Sequence, residues 1–182
     1  YRATDADTDS EDTGAAQPET DRPAVVEAPL DADTLTKSLA NMAYKSEYTA
    51  DGTAPLVDGT YSEEAAPGSA SKIEVSLTDQ IAAGELNGQP AAAVVLATSP
   101  GGSGTFYDLA VVMEQDGKPV NVTTTYLGDR VQVNSVAIED DQIIVDMVQS
   151  GPDDPMCCPT QQVINTYALE GDELSEVSSN VV

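Results

Sequence analysis

Through the second half of this chain apolar residues recur with a period of two, interrupted at short intervals by turn residues. Residues 72–78 alternate cleanly, with Ile73, Val75 and Leu77 on one face. Residues 91–97, built around Val94, Val95 and Leu96, form a continuous apolar run and predict a strand covered on both faces. The same holds for 106–114, where Leu109, Val111 and Met113 interleave with Ala110 and Val112. Asp116-Gly117 is a hairpin signal, and 120–127 supplies the next strand before a turn at Gly128-Asp129-Arg130. Residues 131–138 change phase: Val131 and Val133 share one parity, Val136 and Ile138 the other. One extra residue near Asn134-Ser135 would return both pairs to one core, so a bulge is expected there. Asp140-Asp141 leads into 143–148, and a proline-punctuated loop over 151–161 separates that strand from one marked by Val163, Tyr167 and Leu169. Gly171-Asp172 turns the chain into a short last strand through Leu174 and Val177.

A helical period shows only near the start. Leu35, Leu39 and Met42 fall on one face of a helix expected over 33–43, and three apolar residues oblige so short a helix to dock on something larger. Residues 48–73 are loop-like, with a short strand around 59–62, and 81–90 reads as a loop with turn residues. Strands joined by short turns at this spacing predict a mainly β fold: an antiparallel meander forming a curled sheet or small barrel, with the helix docked on it.

Composition divides the chain. Residues 1–30 carry eight acids, two arginines and Pro18, Pro23 and Pro29 among Thr and Ala, the signature of a disordered acidic tether; residues 31–182 are read as a single β-rich domain. Of the formal net charge of −25, the first segment contributes −6, so the domain itself is strongly acidic. Such a surface repels phosphate backbones and anionic lipid, which argues against nucleic-acid and membrane-surface partners. It favours solubility, divalent cations and a salt-adapted setting, where self-repulsion is screened. No run of 18 apolar residues is present to span a membrane, and residues 1–5 lack the basic start and apolar stretch of a signal peptide.

The same composition narrows the chemistry. Without histidine, the usual base for a Ser or Cys nucleophile and the commonest zinc ligand are missing. Without tryptophan, a sugar cleft served by carboxylate pairs would have few stacking platforms. The glycines of 101–104 precede a β-like run, with Asp108 close by instead of a lysine, so they read as a turn and not as a phosphate loop. Glu85, Asn87 and Gln89 place oxygen ligands at alternate positions around Gly88, a pattern that suits calcium, although Pro90 stands where a second acid-glycine step is expected. Asp153 and Asp154 form a second, weaker candidate of that kind. Both cysteines, Cys157 and Cys158, are adjacent between Pro155 and Pro159. Their Cα atoms must lie about 3.8 Å apart, below the usual disulfide range of about 4.4–6.8 Å. They can form a vicinal disulfide in a structural loop, a redox switch, or a soft-metal thiolate pair. No basic residue is near them in sequence to lower a thiol pKa.

Taken together, residues 93–98, the Gly-Gly-Ser-Gly-Thr-Phe of 101–106, the Leu-Gly-Asp-Arg-Val of 127–131 and the Asp-Pro-Met-Cys-Cys-Pro-Thr-Gln of 154–161 resemble a group of secreted or lipid-anchored bacterial envelope domains of undefined biochemical role. The Cys-Cys-Pro element is also similar, more loosely, to that of LppP/LprE-type actinobacterial lipoproteins. The resemblance spans roughly residues 35–177. It implies an extracytoplasmic location, either secreted or held by an acylated cysteine upstream of Tyr1. In those relatives the loop at Glu85–Gln89 often has an acidic calcium-type pattern, from which this chain departs. The reading as a whole is a non-enzymatic extracytoplasmic binding or structural domain with a protein or envelope partner and no cofactor, calcium being the candidate exception. Its alternatives are a calcium-stabilised unit of a surface assembly and a carboxylate-based hydrolase.

Overall fold

A computed structural model describes residues 32–182; the tether read over residues 1–30 lies outside the described residues. The chain opens with a helix, α1 (Ala32–Leu39), followed by a small hairpin of β1 (Ala43–Lys45) and β2 (Thr53–Pro55). The rest is an antiparallel meander. Five strands form one sheet in sequence order: β3 (Thr60–Glu64), β4 (Lys72–Leu86), β5 (Gln89–Ser99), β6 (Phe106–Gln115) and β7 (Lys118–Asp129). Four form the second: β8 (Gln132–Glu139), β9 (Gln142–Gln149), β10 (Gln161–Glu170) and β11 (Glu173–Val181). The mainly β, curled meander expected from the alternation is the fold observed.

Alternation along the central strands explains why the sheets stack. The odd-numbered residues of β5 and β6 (Ala93, Val95, Leu109, Val111) face Ile143, Val145, Met147, Val163 and Tyr167 of the second sheet, and all are buried. The even-numbered set (Val94, Leu96, Ala110, Val112) turns the other way, onto Leu39 of α1, Tyr44 of β1 and Leu56. The five-stranded sheet is therefore covered on both faces, as its continuous apolar runs require. At about 1.5–3 kcal/mol for each fully buried large aliphatic side chain, these two layers dominate the folding free energy.

Four local features differ from the sequence reading, the first being that β2 (Thr53–Pro55) lies inside the stretch 48–73 read as loop-like, where it pairs with β1. The helix stops at Leu39 and not near 43, because Asn41 closes its end: the Asn41 side-chain amide donates to Lys37 O at 2.9 Å and its Oδ1 accepts from Asp58 N. The buried Tyr44 hydroxyl also donates to Leu39 O at 2.8 Å, so residue 44 belongs to the hairpin and still serves the helix. Residues 81–86 are not a loop. They continue β4, after a register shift between Leu77 and Ile81 where Thr78 Oγ1 bonds Val95 O. Gly84 is there because β8 passes closely: a Cβ on it would lie 2.7 Å from Ile138 Cβ. Finally, β11 is nine residues long and extends past Val177. The bulge expected at 134–135 is present, as a register shift between Val133 and Ser135.

Candidate functional site

An antiparallel meander places its connections alternately at two ends, and here the two sets differ. One end is closed by two-residue turns: Asn87-Gly88, Asp116-Gly117, Asp140-Asp141 and Gly171-Asp172. The first three have positive φ at both residues (53° and 72° at Asn87 and Gly88), the I′ pattern that matches strand twist. The other end carries the longer loops over 65–71, 100–105 and 150–160, with Arg130-Val131 between them. The loop of the β1–β2 hairpin, residues 46–52, reaches the same end, since Tyr48 stacks on Phe106 at 5.3 Å between ring centroids.

Asn121 fixes that hairpin against the sheet. Its buried amide donates to Val111 O at 3.0 Å and Thr123 O at 2.7 Å, bracketing the bulge where β7 pairs with β6. Its Oδ1 accepts from Lys45 N at 2.8 Å and from Thr124 Oγ1 at 3.0 Å. The ammonium of Lys45 is spent on Val122 O.

Between this hairpin and the ends of β6 and β7 lies an open cleft of about 530 Å³, lined by Lys45, Ser46, Glu47, Asp108, Thr124 and Tyr126, among others. Tyr126 is 49% exposed and forms one wall, backed by Phe106 at 6.2 Å, which is backed in turn by Tyr48. At the base is Asp108, only 8% exposed, opposite Leu96 on one side and Tyr126 on the other. Among the described residues no hydrogen bond or ion pair reaches its carboxylate, whose oxygens open to the cleft while the rest of the residue is withdrawn from water. Burial, reinforced by the nearby charge of Glu47, pushes its pKa up to about 7. The Tyr126 hydroxyl is likewise raised, by burial first and then by Asp129, Asp108 and Glu47. The site is thus locally electronegative, and its acid titrates near neutrality.

The three sequence elements at 101–106, 127–131 and 154–161 meet beside this cleft, and Arg130 joins them. Its guanidinium donates to Ser103 O at 2.8 Å, to Met156 O at 3.0 Å and to Asp129 at 2.7 Å. Arg130 N bonds Thr105 O, and Asp129 Oδ1 accepts from Thr105 N. The absence of a basic residue near the cysteines held for the sequence but not for the fold: Arg130, 26 positions upstream, binds the carbonyl just before Cys157. Its charge is compensated by Asp129.

Cys157 and Cys158 form a vicinal disulfide, with Cα atoms 3.8 Å apart, and both are exposed. Met156 beside them is 84% exposed. The loop is held at its base by Asp154, which accepts from Gly151 N, Thr160 N and Thr160 Oγ1; these bonds lower its pKa. Asp154 therefore acts as a loop clasp, while Asp153 points to solvent.

The residues read as a calcium loop fall at the opposite end. Glu85 is exposed on β4, paired with Pro90; Gln89 begins β5; Asn87 is the first residue of the I′ turn. The Asn87 side-chain amide donates to Leu169 O at 3.0 Å and its N–H to Asp141 Oδ1, tying the first sheet to the second. Among the described residues no cluster of three or more Asp, Glu or Cys is arranged to hold a metal.

Asp108 and the tyrosines were the residues that sequence reasoning passed over as a site. A signal existed: Asp108 shares parity with the buried Ala110 and Val112, so an acid occupied a core-facing position. Comparison with protein-family models, with curated proteins and with solved structures gave no match for this chain.

Proposed function

We propose that this chain is a non-enzymatic extracytoplasmic binding domain that meets its partner through the loop end. The asymmetry of the meander carries this reading. Tight turns close one end, whereas the other gathers an aromatic cleft, an exposed disulfide loop and a bridging arginine. Loops positioned on a rigid scaffold are where binding residues concentrate. The acidic surface and the resemblance of the motif set to envelope domains support an extracytoplasmic setting, whether secreted or anchored. Lack of histidine supports a binding role over nucleophilic catalysis.

Photo-crosslinking tests the proposal. A crosslinker placed at Tyr126 should capture a component of an envelope fraction that the same group placed at Asp172 does not. Equal capture from both ends, or none from Tyr126, sinks it.

One observation favours the hydrolase reading: Asp108 is a buried acid that titrates near neutrality beside exposed Glu47, two carboxylates in contrasting environments. Turnover of glycoside or ester substrates that vanishes in Asp108→Asn would support it; no turnover in the wild type removes it.

A further inference from the structure

The cleft is built to hold positive charge on a small organic group. Its base is Asp108, a residue only 8% exposed, whose carboxylate accepts no hydrogen bond from the described residues and keeps its oxygens open to the cleft. A carboxylate largely withdrawn from water is partly desolvated, and a ligand that brings N–H groups offsets that loss. Neither nearby cation forms an ion pair with Asp108: the Lys45 ammonium donates to Val122 O and the Arg130 guanidinium to Asp129, Ser103 O and Met156 O. Glu47 on the cleft lining adds negative charge, Asp129 being paired with Arg130, and Tyr126 is half exposed. An aromatic face next to a carboxylate attracts an alkylammonium both as a cation over the ring and as a hydrogen-bond donor. The net charge of −25 draws cations towards the surface and repels anions. A neutral sugar would gain stacking on Tyr126 but none of this field.

We propose that the cleft binds an alkylammonium group, seated on Asp108 with its carbon chain along Tyr126. The proposal rests on the loop-end reading and names the chemistry that end recognises. The group can come from a free amine or from a lysine side chain on a protein. Seating it requires Asp108 to be ionised, in surroundings that include Glu47, Asp129, Lys45, Tyr48 and Tyr126, so one proton is released when Asp108 was protonated beforehand. The ammonium replaces the proton, and no other bond is made or broken.

Calorimetric titration of the full chain at low salt with n-butylammonium, cadaverine, a lysine amide acetylated at its α-amino group, tetramethylammonium and glucose tests the assignment. The primary ammonium probes should bind, and Asp108→Asn should weaken them about tenfold or more, the cost of losing a charge-assisted hydrogen bond. Tyr126→Ala should weaken them about threefold, while Asp172→Asn at the far end leaves them unchanged. Tighter binding of the lysine amide than of butylammonium points to a protein partner, and tighter binding of cadaverine to a free diamine. The assignment is overturned if Asp108→Asn binds as the wild type does, if tetramethylammonium or glucose binds as well as butylammonium, or if no probe binds. Should Asp108→Asn fail to fold, Tyr126→Ala decides: unchanged affinity there overturns the assignment equally. If no probe binds but the Tyr126 crosslinker still captures a partner, the ligand class falls and the binding role stands; if both fail, both fall.

Discussion

The two ends of the meander are made by the same backbone rule and put to different use. At the turn end, Asn87, Asp116, Asp140 and Asp141 adopt positive φ, and the space between sheets is closed by Asn87 bonding Leu169 O and Asp141. The polar groups there satisfy one another. At the loop end the backbone is also well served, through Asn121, Arg130 and Asp154, yet Asp108 is left without a partner and Met156 and Tyr126 stay exposed. The turn end pairs its polar groups with one another, whereas the loop end leaves the Asp108 carboxylate facing the cleft without a partner among the described residues.

The largest effect that would break this contrast comes from Asn121→Ala. It strands Val111 O and Thr123 O and releases Lys45 N, so the domain should lose about 2–4 kcal/mol in denaturant unfolding. Loss of protection in native hydrogen exchange should concentrate in residues 43–55. A loss below about 0.5 kcal/mol would mean that the hairpin is held by its apolar contacts alone.

Next is the titration of Asp108. Its folded pKa of about 7 lies above the ordinary value of 3.8, so its protonated form is favoured by folding. That contribution is fully present below pH 3.8 and is lost as pH rises through about 7. Asp108→Asn should remove about 2–4 kcal/mol of the decline between pH 4 and pH 8, and should melt higher than the wild type at pH 8. Parallel stability profiles for the two proteins would show that the carboxylate is well solvated.

Arg130→Ala is a smaller perturbation with a sharper address. Losing bonds to Ser103 O and Met156 O should cost about 1–2 kcal/mol and speed proteolysis of the 150–160 loop, leaving the 87–88 and 116–117 turns protected. Uniform loosening of both ends would contradict the role of Arg130 as a local bridge.

The smallest effect belongs to the disulfide. Protein purified without reductant should take up no alkylating reagent at Cys157 or Cys158, and intact mass reads this directly. Because the bond links neighbours and closes no long loop, its reduction should change global stability by less than about 1 kcal/mol. Two alkylated thiols before reduction would rule the bond out.

Much of the fold was legible because burial on strands leaves a period of two. The doubly covered β5 and β6, the hairpin at Asp116-Gly117 and the bulge after Val133 followed from parity and turn residues alone. Residues 81–86 were misread because Ala82, Ala83 and Gly84 carry no apolar period. Gly84 carries instead a steric condition set by Ile138, 54 residues away, and local pattern cannot express it.

The sequence by itself determined the class of fold and the faces that alternation buries on most strands, and it left the state of Cys157 and Cys158 open. Tertiary structure decided which polar residues share a site. Tyr48, Phe106, Asp108 and Tyr126 come from three segments, and Arg130 finds Ser103 and Met156 on two others, because sheet pairing brings strand ends together regardless of their separation along the chain. An acid at a core-facing position is visible in the sequence; that no donor reaches it depends on every neighbour the fold supplies.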